Sequence, residues 1–140
     1  MKILLAADGS DYTEKALTFI VDHKHLIDAQ SDILVVNVQP LLPTVFNAVI
    51  SVADALAIHN SEAEKVFLPI RNFLDQNHVT HRCISMIGAV ASKIITTAVQ
   101  EQASLIVMGT HGREYVANAV LGSVAQKVVA SSTVPVLLVK

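Results

Sequence analysis

Four residues in the last third of the chain have the types and spacing of an anion site. Gly109, Gly112, Gly122 and Ser123 lie in the stretch MGTHGREYVANAVLGS at positions 108–123. A polyphosphate needs several N–H donors at short range, and glycine lets a backbone approach closely and adopt conformations that other residues resist. Gly122-Ser123 opens an amphipathic stretch, and the free N–H groups and dipole of a helix start favour an anion. His111 and Arg113 are the donor or cationic side chains nearby. The same spacing fits a plain turn followed by a helix with Ser123 as its N-cap, and spacing alone does not choose. Neither common glycine motif is present: no Lys precedes Ser123, and position 111 is His rather than Gly.

Other candidates stand at the ends of apolar runs. Asp8, after KILLAA, is placed to bond ribose hydroxyls or help hold a metal ion, or only to accept N–H bonds from the GSD turn that follows. Val38, at the end of VVNVQP, has a backbone able to read an adenine edge, or is an ordinary core valine. His78 and His81 have H-x-x-H spacing with no acid or cysteine alongside, a weak metal signal. His23, His25 and His59 read as solvated helix positions. No Ser/His/Asp set singles out a nucleophile. Cys83 is the one cysteine, which excludes an internal disulfide and a multi-cysteine metal site and reads as a small core residue.

These residues need elements to hold them. The chain has 140 residues and is 52% apolar, mainly aliphatic, which suits one domain spanning 1–140. Five nearly unbroken apolar runs, Ile3–Ala7, Ile33–Val38, Arg82–Ile87, Leu105–Met108 and Val134–Val139, read as parallel strands covered on both faces. Helical stripes lie between them, at Ala16, Leu17, Ile20 and Val21, at Ala63, Val66, Phe67, Ile70, Phe73 and Leu74, and at Ile94, Ile95, Ala98 and Val99. Asp11 and Glu14 have capping-box spacing. Residues 39–50 look like a loop, 51–77 like a helix kinked or broken near Lys65–Pro69. The order βαβαβαβαβ predicts a doubly wound five-stranded parallel sheet. In such sheets ligands bind beyond the carboxyl ends of the strands, where strand order reverses. A net charge of −2 without a Lys/Arg cluster gives no pull toward nucleic acid or an anionic membrane. The N-terminal apolar run is too short for a signal peptide or a membrane span, so the expectation is a soluble cytoplasmic protein.

From ILLAADGSDYTEKAL to LIVMGTHGREYVANAVLGSVAQKVVASSTVPVLLVK the chain resembles the universal stress protein family. Its ATP-binding branch carries G-x2-G-x9-G-S/T, which Gly109, Gly112, Gly122 and Ser123 match without a gap. The resemblance implies strand order 3-2-1-4-5 in an adenine nucleotide alpha hydrolase-like fold. It implies a nucleotide site at Ala7, Asp8 and Ser10, at Val38 through its backbone, and at Met108, Gly109, His111, Gly112 and Arg113. Gly122, Ser123 and the N–H of Val124 would hold the phosphates, with Mg²⁺ or Mn²⁺ alongside. It also implies ATP binding with slow hydrolysis or autophosphorylation at most, a nucleotide-dependent switch in which ATP orders Arg113–Leu121 for an unknown protein partner, and a homodimer through Val134–Val139. Two residues depart from the pattern. Glu114 brings an acid near the phosphates where relatives often have a glycine soon after, and Val90 replaces a helix-starting proline. An interaction module with an empty crevice and an enzyme on AMP-like substrates are the competing functions.

Overall fold

In the computed structural model, residues 1–25, 31–113, 117–118 and 120–140 are described, less the side chains of 46 and 47. The elements follow as β1 (Lys2–Ala6), α1 (Asp11–Asp22), β2 (Asp32–Gln39), α2 (Thr44–Asn47), α3 (Val52–Gln76), β3 (His81–Ile87), α4 (Val90–Gln100), β4 (Leu105–Gly109), α5 (Ser123–Ser131) and β5 (Val136–Val139). All strand pairs are parallel, in the order β3-β2-β1-β4-β5. The order reverses at β1, whose neighbours are β2 on one side and β4 on the other.

The sheet separates two apolar clusters, as the pleat requires of strands buried on both faces. Ile3, Leu5, Ile33, Val35 and Val107 point to one face, where Ala16, Leu17 and Ile20 of α1 and Val66, Phe67, Ile70 and Leu74 of α3 cover them. Leu4, Leu34, Val36, Ile106 and Met108 point to the other, under Ala91, Ile94 and Ala98 of α4 and Ala125 and Val128 of α5. The 3-4 spacing of the helical residues matches one face of a helix.

Several local expectations are corrected. The N-cap of α1 is Ser10, so Asp11 is already helical and Asp11–Glu14 is not a capping box. α5 is capped by Gly122, with Ser123 its first residue. Part of the 39–50 segment is the short α2. α3 runs unbroken through Pro69; the proline is exposed, so the Lys65 carbonyl that it leaves without a donor can meet water. Ser51 caps α3, its hydroxyl accepting from Asp54 N at 3.1 Å and donating to Asp54 Oδ2 at 2.8 Å. β5 starts at Val136 because the Ser132 hydroxyl holds both the N–H and the C=O of Val134 in a turn. His59 is buried at 6% exposure, not solvated. Cys83 is only partly buried, against the α3 side of the core, and desolvation pushes its thiol pKa up, opposed by Arg71. Among the described residues no helix is long and apolar enough to cross a membrane.

Leu4 is fully buried on the central strand. Leu4→Ala is expected to lower stability by about 2–5 kcal/mol in urea unfolding, since neighbours on both sides of a central strand cannot close the gap.

Candidate functional site

The site begins with a length mismatch between neighbouring strands. β1 pairs with β2 only as far as Ala6↔Val36, and the last bond between them runs from Ala7 N to Val36 O at 2.9 Å. β2 continues three residues further, still paired to β3. In a parallel strand the N–H and C=O of one residue point to the same side, and successive residues alternate. Val36 faces β1, and Gln39 faces β3, its carbonyl accepting from Gly88 N at 2.9 Å. Val38 therefore turns its N–H and C=O toward β1, past the point where β1 has ended.

β1 leaves the sheet through Asp8 and Gly9, whose φ of +76° only glycine adopts without strain. Asp8 then ties two distant loops together. Its Oδ1 accepts from Ser10 N at 2.9 Å and from the Thr13 hydroxyl at 3.0 Å. Its Oδ2 accepts from Arg113 N at 3.0 Å, 105 residues away in sequence. The turn-acceptor role considered for Asp8 is thus real, and the same carboxylate also fixes the glycine loop after β4.

The three motif glycines are small for reasons of packing. None has a positive φ, so the expectation that they take conformations closed to other residues is not met. A Cβ at Gly109 would collide with the Cβ of Tyr12. One at Gly112 would lie 2.6 Å from Asp8 Oδ2. One at Gly122 would lie 3.2 Å from both His111 Cα and Thr110 O. Gly122 N also donates to Thr110 O at 2.7 Å, closing the loop on its own start. Gly122 N–H is thereby used, whereas the first-turn N–H groups of α5, at Ser123, Val124 and Ala125, have no intrahelical acceptor by position, and among the described residues no side chain caps them.

These pieces surround a cavity of about 300 Å³. Eleven of the twelve residues expected from the sequence line it: Ala7, Asp8, Val38, Met108, Gly109, His111, Gly112, Arg113, Gly122, Ser123 and Val124. Ser10 does not; it lines an adjoining recess with Asp11, Tyr12, Gly112 and Arg113. Its enclosed hydroxyl has no hydrogen-bond partner among the described residues. The sequence reading missed the apolar floor, made by Val36 on β2, Val90 and Ile94 on α4, and Ala125 on α5. The one-turn spacing of Val90 and Ile94 just after a strand end was the available signal. It also missed Thr13, which both accepts from Asp8 N at 3.1 Å and donates to the Asp8 carboxylate.

The cavity is thus apolar at the Val38 end and lined by donors at the α5 end, a shape suited to a flat apolar group bearing an anionic tail. His111 walls one side, 5.2 Å from the Tyr12 ring and 3.0 Å from the Thr110 hydroxyl, and Lys15 lies 4.9 Å over that Tyr12 ring. The Arg113 guanidinium lies beside Gly9. Glu62 on α3 is held below the usual carboxylate range chiefly by its 2.7 Å bond to Lys65, with Arg113 adding to the effect. Among the described residues no three His, Cys, Asp or Glu side chains cluster to hold a metal. His81 bonds the Val79 carbonyl instead, at 3.0 Å, and His78 takes a positive φ of 56°. Glu114, with residues 115, 116 and 119 of its loop, lies outside the described residues, so the expectation for Glu114 does too, and the expected ordering of Arg113–Leu121 falls partly on them.

The chain matches the model of the Universal stress protein family over residues 1–140. It is 34% identical over 138 residues to a universal stress protein of Thermus aquaticus, covering 99% of this chain and 97% of that one. Its fold is similar to the solved structure of hypothetical protein MJ0577, at 26% identity and a TM-score of 0.80, covering 99% and 94% of the two chains. It is also similar to the universal stress protein from Archaeoglobus fulgidus in complex with dAMP, at 21% identity and a TM-score of 0.71, covering 100% and 98%.

The packing of Gly112 on Asp8 makes a prediction about the free protein. Gly112→Ala is expected to cost about 1–3 kcal/mol in urea unfolding by pushing the carboxylate off Arg113 N. In an Asp8→Ala background the same change should cost little, because the group it strikes is gone. Equal cost in both backgrounds contradicts the contact.

Proposed function

The chain belongs to the universal stress protein family, and on that premise we propose that its strand-end crevice binds ATP and that the protein acts as a nucleotide-dependent switch in a cytoplasmic stress response. The observation that carries this reading is one cavity with an unpaired strand edge at Val38 and an uncapped helix start at Ser123–Val124. An adenine ring against Val36, Val38, Val90 and Ile94 would meet the Val38 N–H and C=O with its hydrogen-bonding edge. The phosphates would then lie over Gly112 and the first turn of α5, with Arg113 and His111 at the rim. The dAMP held by the Archaeoglobus fulgidus relative supports an adenine nucleotide as the ligand class.

Mg²⁺ or Mn²⁺ would accompany the phosphates. Asp8 is the one carboxylate lining the cavity among the described residues, and its oxygens already accept three bonds, so the ion would be held mainly by phosphate and water, with the Ser123 hydroxyl in reach. Such coordination is usual for Mg²⁺ with nucleotides. The same commitment leaves Asp8 poorly placed as a general base, which supports binding with slow hydrolysis or autophosphorylation at most.

One observation favours the second reading, an interaction module with an empty crevice. Every motif glycine has a structural neighbour that accounts for its missing side chain, so the motif does not by itself require a ligand. The two readings share a dimer: β5 pairs with β4 on one edge, and a second copy across a two-fold axis would cover the other.

Calorimetry is expected to detect ATP binding at about 1 mM or tighter, with and without Mg²⁺; no heat at that concentration overturns the reading. Ser123→Pro separates the donors from the fold. Proline is favoured at the first helical position, and Gly122, at φ −67° and ψ 159°, has the extended backbone that must precede it. The variant should keep its melting temperature and lose about tenfold in ATP affinity, the worth of one charge-assisted hydrogen bond. Sedimentation equilibrium should give the mass of two chains; the mass of one excludes the β5 dimer.

A further inference from the structure

His59 is buried on the N-terminal half of α3. Its value lies in its partners. His59 Nδ1 is 2.8 Å from Gln39 Oε1, and Gln39 Nε2 is 2.8 Å from the His59 carbonyl and 3.2 Å from Asn37 Oδ1. Asn37 Nδ2 in turn donates to the Ala7 carbonyl at 2.9 Å. Only one orientation of the two amides satisfies this chain. Gln39 Nε2 faces two acceptors and must be the amide nitrogen, so Oε1 faces His59, and His59 must carry a proton on Nδ1.

The chain spans three elements: α3, the end of β2 and the end of β1. Asn37 and Gln39 flank Val38, and their side chains project from the α3 face of the sheet while Val38 packs on the opposite face. The backbone of Gln39 is fixed as well, its carbonyl accepting from Gly88 N at 2.9 Å. Val38, beyond the end of β1, has no strand to hold it from that side. A strand end left in this state frays; here it is anchored through its two neighbours.

We propose that Gln39 and His59 are positioning residues that fix the Val38 backbone edge for base recognition, and so set the preference for adenine. The proposal rests on the nucleotide-binding reading of the crevice. A fixed N–H and C=O pair accepts the adenine edge, with its ring nitrogen acceptor and amino donor, and rejects the guanine edge, where donor and acceptor are exchanged. Loosening the pair lets the edge move, which weakens the correct base and relaxes the rejection of the wrong one. The phosphate end of the cavity, built from Asp8, Gly112 and α5, lies outside the chain of bonds and keeps its geometry.

The test is Gln39→Leu, with His59→Phe as a milder second variant that keeps the main-chain carbonyl of position 59. ATP, GTP and inorganic tripolyphosphate are titrated into wild type and each variant, and folding is checked by thermal melts. Gln39→Leu should weaken ATP by about tenfold and cut the ATP-over-GTP ratio by a similar factor, with His59→Phe smaller in both, as expected for one or two lost hydrogen bonds. Tripolyphosphate affinity should stay within about twofold, since its donors are not in the chain of bonds. If ATP and tripolyphosphate weaken together, or the ATP-over-GTP ratio does not move, the positioning role is wrong. Nitrogen-15 spectra of the His59 ring in the free protein test the bonds without a ligand: the Nδ1–H tautomer is expected, and it should be lost in Gln39→Leu. The Nε2–H tautomer in wild type would overturn the relay even if ATP binds, whereas a wild type that shows the expected tautomer but binds neither nucleotide overturns the function reading instead.

Discussion

The site depends on the carboxylate of Asp8. It stands where β1 leaves the sheet and accepts from Ser10, Thr13 and Arg113. Two of these bonds shape the start of α1, and the third reaches the glycine loop after β4. Tyr12 packing on Gly109 and His111 also joins these loops, but Asp8 supplies the hydrogen bond to the Arg113 backbone. Its influence extends to residue choice, because Gly112 has room for no side chain beside Asp8 Oδ2. A partly buried carboxylate with three donors is well compensated, so the group serves as a joint between loops.

The second constraint is the early end of β1. A sheet whose central strand stops short leaves the next strand with an unpaired edge, and here that edge is Val38. The reversal of strand order at β1 places the gap opposite the start of α5, so the unpaired edge and the uncapped helix face one space. The anchoring of Asn37 and Gln39 by α3 and β1 explains how so short an overhang holds its shape.

Much of this was legible in the chain. Aliphatic runs located all five strands to within two residues, since a buried parallel strand must be apolar on both faces. The stretch GTHG and the later GS pair pointed to a single crevice, and the residues do line one cavity, because the loops after adjacent strands share it. What failed was local or long-range. The Ser10 and Gly122 caps each lay one residue before the expected one, because cap choice turns on backbone angles that residue types only bias. The role of the glycines was misjudged because Tyr12, Asp8 and His111, the residues that exclude their side chains, become neighbours only after folding. His59 was read as solvated because one polar residue in a helical pattern does not reveal whether a strand-end Gln39 will meet it. Thr13 was missed because nothing in its type distinguishes cavity lining from core, and Val90 and Ile94 offered only their one-turn spacing after a strand end.

The central claim is that one ligand spans the cavity from Val38 to the first turn of α5. Backbone amide shifts followed during an ATP titration test it most directly. The amides of Val38, Gly112, Ser123 and Val124 should move together, along one saturation curve, with little change at the far end of the sheet near Lys2 and Arg82. Shifts confined to the phosphate end, or scattered without a common curve, would contradict it.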